Sequence, residues 1–199
     1  GEAFDTPQAI LSYSETGLTK LSQQYHEIIR EHICRGAYKH AKRPILINNW
    51  EATYFNFNEE KILKIAEQAQ KLGIEMLVLD DGWFGKREDD NSGLGDWFVN
   101  EKKMNGSMAQ LAEKIHKMGM KFGLWFEPEM ISEDSDLYRA HPDWAFAIPG
   151  RVPNHSRNQL VLDMTREDVR EYLLERLTTI VHDAKIDYVK CDMNRSVCD

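Results

Sequence analysis

Several features that would assign this sequence of 199 residues to a function class are missing from it. No apolar run approaches the roughly 20 residues that a membrane-spanning helix needs, and the N-terminus lacks a basic segment followed by an apolar one. The three cysteines are odd in number and have no CxxC spacing, which argues against a disulfide framework or a zinc site. We therefore expect a cytoplasmic protein with free thiols and without membrane contact.

The sequence also lacks the patterns that bind nucleic acids and nucleotides. The net charge is -8, and no cluster of Lys and Arg with interleaved aromatic residues is present to follow a phosphate backbone. No GxGxxG loop follows a predicted strand, and the seven histidines show no HExxH or other metal-ligand spacing. We therefore expect no nucleic-acid partner, and the missing loop argues against a dinucleotide-binding fold.

What the chain does contain is a series of short apolar strands and amphipathic helices. A content of 42% hydrophobic and 29% charged residues is typical of a globular protein. Apolar runs predict strands at 45–47, 76–79, 121–126 and 188–193, and helical spacing predicts helices at 18–32, 58–72, 107–118, 135–140 and 165–184. Strands and helices in alternation predict parallel strands joined by right-handed crossovers.

Helix ends are marked by residues with known capping preferences. Asn58 should cap the second long helix and Gly73 should end it, while Gly119 should end the third. Thr165 and Asp168 have the spacing of a capping box and should begin the last helix.

The ends of the strands decide between an open sheet and a barrel. Polar and aromatic residues collect after each predicted strand, which is where barrel enzymes carry their chemistry. We therefore predict an α/β fold, the first half of a (β/α)8 TIM-type barrel with about four β/α units, at 43–199. Residues 1–42 are expected to be the remnant of an N-terminal domain, including a leftover strand, followed by a linker helix.

Side chains alternate between the two faces of a strand, and this places a polar row in the barrel interior. Lys190, Asp192 and Asn194 share one face of the last strand, and the apolar residues between them should face the helices. The same alternation turns Trp125 inward on the third strand. A positive charge at Lys190 would keep Asp192 ionised.

The residues expected at this mouth are suited to binding a sugar. Asp80 and Asp81 end the second strand, Trp50 follows the first, and all five tryptophans lie in or beside predicted loops and strand ends. Carboxylates bind sugar hydroxyls and indoles pack on the C–H face of a pyranose. In retaining glycosidases one ionised carboxylate attacks the anomeric carbon and a protonated one, about 5–5.5 Å away, assists the leaving group. Asp192 suits the first role.

Four blocks of sequence, in order, resemble the signature segments of glycoside hydrolase family 36 α-galactosidases. They are NNWEATYF at 48–55, LDDGWFG at 79–85, LWFEPEM at 124–130 and KCDMNR at 190–195. The resemblance implies that Asp192 is the nucleophile that forms a β-linked galactosyl-enzyme. It also implies that Asp80 and Asp81 bind the hydroxyls at C4 and C6 of galactose.

The same resemblance implies the rest of the site and its substrates. Lys190, Asn194, Arg157 and Trp125 would complete the galactose pocket, with Trp50 at its rim. The implied substrates are α-galactoside oligosaccharides such as melibiose and raffinose, no metal or organic cofactor is implied, and the parent enzyme is expected to be a homo-oligomer. Cys191 stands where close relatives often carry Trp, and we expect altered packing there rather than lost chemistry.

The resemblance places the acid/base aspartate on a later strand, beyond Asp199. The chain by itself is therefore expected to be inactive, as part of a longer enzyme. Two other functions remain open from the sequence. One is a metal-dependent TIM-barrel lyase or isomerase, since carboxylates at successive strand ends can hold Mg²⁺. The other is a sugar-binding fragment without turnover.

Overall fold

The computed structural model describes residues 3–198 and divides into two compact units, Gly1–Arg43 and Pro44–Asp199. The first unit contains one helix, α1 (Leu18–Ile28), which continues into a single π-helical turn at Ile29–Ile33. Residues 3–14 have no regular secondary structure, so the strand predicted before the helix is wrong. A strand needs a hydrogen-bonded partner, whereas this segment bonds to α1 through the hydroxyl of Tyr25, which donates to the carbonyl of Ile10 at 3.0 Å.

The second unit is built on a four-stranded parallel sheet. Its strands in chain order are β1 (Leu46–Asn48), β2 (Met76–Leu79) and β3 (Lys121–Phe126), then the short β4 (Met130–Ile131) and β5 (Leu160–Val161), and finally β6 (Tyr188–Cys191). The sheet order is β1-β2-β3-β6, and each neighbouring pair is parallel. This order, with strands added in sequence, is the one expected for the first part of a (β/α) barrel, and the α/β fold class is confirmed.

Along the chain, helices connect the successive strands of the sheet. They are α2 (Trp50–Thr53), α3 (Glu59–Lys71), α4 (Met108–Lys117), α5 (Asp136–Ala140) and α6 (Glu167–Asp183), with a 3₁₀ turn at Pro142–Trp144. The side chain of Asn58 caps α3 as predicted, accepting from the backbone N–H of Lys61 at 3.0 Å. Gly73 and Gly119 follow α3 and α4 with φ of 80° and 78°, values that favour glycine at a helix end.

The capping box predicted at the start of α6 is wrong, and a capping box is present at α4 instead. The carboxylate of Asp168 accepts from the guanidinium of Arg166 at 3.0 and 2.8 Å, and the Thr165 hydroxyl donates to Asp163 at 2.6 Å. At α4, Ser107 and Gln110 each accept from the other's backbone N–H, at 3.3 and 3.0 Å. Arginine beside the N-terminus of α6 competes for the acidic side chain that a capping box would use.

The core lies between the sheet and the helices. All four residues of β2 are buried, and so are Phe122, Leu124 and Phe126 of β3, the strand that contacts α4. Trp83, Trp97 and Trp144 are also buried in this core, so only Trp50 and Trp125 of the five tryptophans reach the strand-end cavity described below. Within residues 3–198, no helix has the length and hydropathy to cross a bilayer.

Two strands were not predicted. β4 and β5 form an antiparallel ribbon in which Met130 pairs with Val161 and Ile131 with Leu160. Each has only two residues, too few to show a period of two in the sequence. The ribbon brings residues 157–159 back towards the end of β3, where the side chain of Gln159 contacts Glu127.

Candidate functional site

A small cavity, of about 80 Å³, lies at the C-terminal ends of the parallel strands. All eight residues predicted from the sequence line it: Trp50, Asp80, Asp81, Trp125, Arg157, Lys190, Asp192 and Asn194. Three further residues line it that were not predicted: Arg87, Glu127 and Gln159. A larger hollow, of about 670 Å³, lies beside α6 and the 85–101 loop and is lined by none of the eight. The predicted site residues therefore meet in the smaller cavity.

Asp80 is held by hydrogen bonds with the end of β1 and with β6. Its Oδ2 accepts from the ammonium of Lys190 on β6 at 2.7 Å and from the amide of Asn48 at the end of β1. Its backbone N–H donates to the side-chain oxygen of the buried Asn49 at 2.8 Å. The ion pair that the sequence suggested for Lys190 and Asp192 is thus made with Asp80, although the Lys190 charge also acts on Asp192.

Asp81 forms a buried ion pair with Arg87. The guanidinium donates from Nη2 at 2.8 Å and from Nε at 3.1 and 3.2 Å, and both residues are almost fully buried. Burial raises the pKa of Asp81, and the hydrogen bonds and charge of Arg87 offset only part of that rise. Arg87 also donates to the carbonyl of Ser92 at 2.9 Å, so the long loop after β2 is closed around this pair.

Asp192 lies just beyond β6 and accepts three hydrogen bonds. The indole N–H of Trp125 and the side-chain amide of Asn194 donate to Oδ2 at 3.2 and 3.1 Å, and the backbone N–H of Met193 donates to Oδ1 at 2.9 Å. Burial alone would raise the pKa of Asp192, but these bonds and the Lys190 charge outweigh it and lower the pKa. The residue remains partly exposed, so its ionised carboxylate is accessible from the cavity.

Glu127 follows β3 and has the opposite electrostatic environment. It is 1% exposed, and its Oε1 accepts from the backbone N–H of Asn194 at 2.5 Å and from the amide of Gln159 at 3.0 Å. Burial raises the pKa of Glu127, the bonds from Asn194 and Gln159 oppose the rise, and the charge of Asp192 adds to it. Two carboxyl groups of one cavity therefore have pKa values displaced in opposite directions.

The remaining predicted residues line the cavity from a loop, from β3 and from the start of α2. Arg157 is exposed and donates from Nη1 to the side-chain oxygen of Asn194, while its Nη2 lies 3.8 Å from Asp90. Trp125 is 1% exposed and its ring stacks on Phe84 with centroids 6.1 Å apart, so its indole N–H is its polar contact in the site. Trp50 is partly exposed and packs edge-on against Tyr54 and Phe55.

The three cavity residues that were not predicted differ in how strong a signal each has in the sequence. Glu127 continues the alternation that turns Trp125 inward, but it directly precedes Pro128, where a residue can simply begin a turn. Arg87 and Gln159 lie in polar loops without periodicity, and only the three-dimensional structure brings them to the cavity. Among residues 3–198, no group of three or more His, Cys, Asp or Glu is arranged to hold a metal ion.

The chain is similar to known proteins over nearly its whole length. The family model described as Melibiase matches residues 3–199. The bifunctional α-galactosidase/sucrose kinase AgaSK of Mediterraneibacter gnavus is 59% identical over all 199 residues, and the α-galactosidase AgaA of Geobacillus stearothermophilus is 53% identical over the same length. The chain spans only 21% and 27% of these two proteins.

Solved structures of the same two proteins are also similar. The galactosidase domain of AgaSK superposes with a TM-score of 0.88, covering 92% of this chain and 26% of that one. A variant of AgaA from G. stearothermophilus in complex with raffinose, 54% identical, gives a TM-score of 0.86 over 89% of this chain and 25% of its own. Another AgaA variant, in complex with stachyose, is 53% identical and gives 0.90 over 94% of this chain and 26% of its own. By its family model and by this identity, the chain belongs to the melibiase family.

Proposed function

We propose that this chain is the nucleophile-bearing part of a retaining α-galactosidase, with Asp192 as the nucleophile. The observation that carries the proposal is the environment of Asp192. Its carboxylate is partly exposed in a strand-end cavity, and three donors and a nearby ammonium lower its pKa. A nucleophilic carboxylate must be ionised at the pH of the reaction, and this environment favours the ionised form.

The other polar groups of the cavity suit a sugar ring. Asp80 and Asp81 are acceptors for two hydroxyls, with their carboxylates oriented by Lys190 and Arg87. Asn194 and Arg157 supply further donors, and Trp50 offers an aromatic surface at the rim. In the proposed complex, Asp80 and Asp81 bind the galactose hydroxyls at C4 and C6 while Asp192 approaches the anomeric carbon.

The proposed substrates are α-galactosides of the raffinose type. Variants of one relative, AgaA, which are 54% and 53% identical to this chain, have been solved with raffinose and with stachyose. Both sugars end in an α-linked galactose, as melibiose does. The proposed parent enzyme is a cytoplasmic homo-oligomer that needs no metal or organic cofactor.

We also propose that the rest of the catalytic barrel completes this cavity. The general acid would come from a strand beyond Asp199, so that protonation of the leaving oxygen is not available to the chain alone. The purified 199-residue chain is therefore expected to show no turnover of nitrophenyl α-galactoside. This expectation would be contradicted if the purified chain hydrolysed nitrophenyl α-galactoside and its Asp192→Asn variant did not.

The experiment that tests the proposal is hydrolysis of raffinose and nitrophenyl α-galactoside by the complete enzyme and by its Asp192→Asn variant. The variant should lose about 10³-fold or more in kcat, because the attacking group is removed. Asp96→Asn is the matched control, since Asp96 is a buried carboxylate that accepts from the first turn of α5 and does not line the cavity. Near wild-type kcat in Asp192→Asn would reject the assignment.

A chelator separates this proposal from a metal-dependent lyase or isomerase. Hydrolysis that is unchanged after treatment with EDTA supports the glycosidase. Loss of activity that returns on addition of Mg²⁺ would favour the metal-dependent alternative.

A further inference from the structure

We propose that Glu127 is a positioning residue of the nucleophile, acting on Asp192 through Asn194. This inference rests on the proposed function, because it names the group that orients the proposed nucleophile. Its basis is a continuous path of hydrogen bonds in which Glu127 accepts from Asn194 and Asn194 donates to Asp192.

The segment that bears Asp192 needs an external anchor. β6 ends at Cys191, and residues 192–194 lie outside the strand. The backbone N–H of Asp192 still donates to the carbonyl of Phe126 at 2.9 Å, which is the last backbone bond to β3 in this segment. Two residues later, the backbone N–H of Asn194 meets the carboxylate of Glu127 instead.

Glu127 is suited to serve as this anchor because it is itself held in place. It directly follows Phe126 of β3, is 1% exposed and lies among buried neighbours. The amide of Gln159, also buried, donates to the same Oε1 at 3.0 Å. The acceptor oxygen is thus fixed by the sheet on one side and by the segment before β5 on the other.

The side-chain amide of Asn194 links this anchor to the carboxylate of Asp192. With its backbone N–H held by Glu127, Asn194 directs its Nδ2 to Oδ2 of Asp192 at 3.1 Å. Its Oδ1 accepts from Arg157, but that arginine is exposed and is a weaker restraint than a buried carboxylate. A shift of Asn194 would therefore rotate the nucleophile away from its hydrogen bond with Trp125.

Side-chain length and charge make different predictions for the role of Glu127. Positioning requires an acceptor oxygen at a fixed distance from the backbone of Asn194, and a glutamine provides it. A general acid or base requires a group that can exchange a proton, and a glutamine does not provide one. Shortening the side chain to aspartate keeps the carboxyl group but withdraws the acceptor by one methylene.

The test compares Glu127→Asp with Glu127→Gln in the complete enzyme, using nitrophenyl α-galactoside. We expect Glu127→Asp to lose about 10²-fold in kcat, the usual effect of misplacing a reacting group by about 1 Å, with a much smaller change in KM. We expect Glu127→Gln to remain within about fivefold of the wild-type kcat, since a neutral acceptor replaces a charged one.

Asp96→Asn serves as the control for a merely structural carboxylate. Asp96 is buried, and its carboxylate accepts from the backbone N–H groups of Asp136 and Leu137, both at 2.9 Å, but it lies outside the cavity. Its folded variant should keep the wild-type kcat and KM. A structural role alone would give Glu127→Asp the same kinetic result.

Each outcome decides the inference. Glu127→Gln falling further than Glu127→Asp, or Glu127→Asp keeping its wild-type kcat, would overturn it. If Glu127→Asp does not fold, Glu127→Gln decides alone, because a kcat near wild type supports positioning and a loss of about 10²-fold refutes it. A wild-type enzyme without α-galactosidase activity would reject both the proposed function and this inference. The two overturning results for the Glu127 variants would reject only the positioning role and leave the proposed function intact.

Discussion

Single residues of the cavity differ in charge preference because their neighbours differ. Asp192 is surrounded by N–H donors, and these lower its pKa despite partial burial. Asp81 and Glu127 are more deeply buried, and burial raises the pKa of both in spite of good hydrogen bonds. Of these three groups, only the one proposed to attack has its pKa lowered by its surroundings.

Replacing Trp125 by phenylalanine should raise the pKa of Asp192. The indole N–H is the largest of the contributions that lower this pKa, and phenylalanine keeps an aromatic ring without the donor. Because a carboxylate nucleophile works only when ionised, the acidic limb of kcat/KM should move to higher pH in Trp125→Phe.

The pH profile of kcat/KM in the complete enzyme checks this expectation. Trp144→Phe is the matched control, as Trp144 is buried against His141 and does not line the cavity. An acidic limb that stays in place in Trp125→Phe, or moves to lower pH, would show that the indole does not stabilise the ionised carboxylate.

Removing Arg87 should leave a buried, uncompensated charge at Asp81. We expect Arg87→Met to destabilise the enzyme by about 3–5 kcal/mol at neutral pH. Without Arg87 the folded-state pKa of Asp81 rises further above its unfolded value, so the loss is full above that folded pKa. It shrinks as the pH falls towards the unfolded value, because the folded state then binds the proton that neutralises the group.

Urea unfolding at several pH values measures this effect. The double variant Asp81→Asn, Arg87→Met should be less destabilised at neutral pH than Arg87→Met alone, since no isolated charge remains. Equal loss in both variants, at every pH, would mean that the ion pair is not what Arg87 contributes.

At this scale the sequence predicted the residues on strands and directly after them better than those within the long loops. Strand alternation predicted one shared face for Trp125, Lys190, Asp192 and Asn194, because a period of two follows from backbone geometry alone. All four line the cavity, although Asp192 and Asn194 lie beyond the end of β6. It could not show that Lys190 pairs with Asp80 or that Arg87 reaches Asp81, since both contacts depend on how separate segments pack.

Whole elements were predicted where local chemistry determines them. The parallel strands have continuous apolar runs, and α3 and α4 have polar caps followed by apolar faces. The capping box predicted at the start of α6 is absent, because Thr165 and Asp168 bond to other side chains. The ribbon of β4 and β5 depends on a contact between distant segments and has no local signal.

The two helix starts can be compared directly by substitution. Ser107→Ala removes the hydroxyl that accepts from Gln110, which should cost about 1 kcal/mol of local stability. Amide exchange in α4 should then be about fivefold faster, because roughly 1.4 kcal/mol corresponds to a factor of ten. Thr165→Ala should leave exchange in α6 nearly unchanged, since no side-chain cap is present there.

Hydrogen–deuterium exchange resolved to peptides of α4 and α6 measures both variants under identical conditions. If Thr165→Ala accelerates exchange in α6 as much as Ser107→Ala does in α4, the side chain of Thr165 caps α6, in contradiction to the structure.

For the molecule as a whole, the sheet explains why the site lies where it does. Four strands run in parallel, so their C-terminal ends and the residues that follow them meet at one edge. Asp80 and Asp81 follow β2, Glu127 follows β3 and Asp192 follows β6. The order of strands in the sheet is the order in the chain, and the sequence predicted it because short β/α units leave few other topologies.

The most direct test of the account is to trap the covalent intermediate in the complete enzyme. A fluorinated α-galactosyl fluoride, which slows both steps of a retaining mechanism, should label one carboxylate, and peptide mass spectrometry should place the label on Asp192. Wild-type enzyme that is labelled on Asp80, Asp81 or Glu127 instead, or that turns over the reagent without any covalent adduct, would contradict the central claim that Asp192 is the nucleophile.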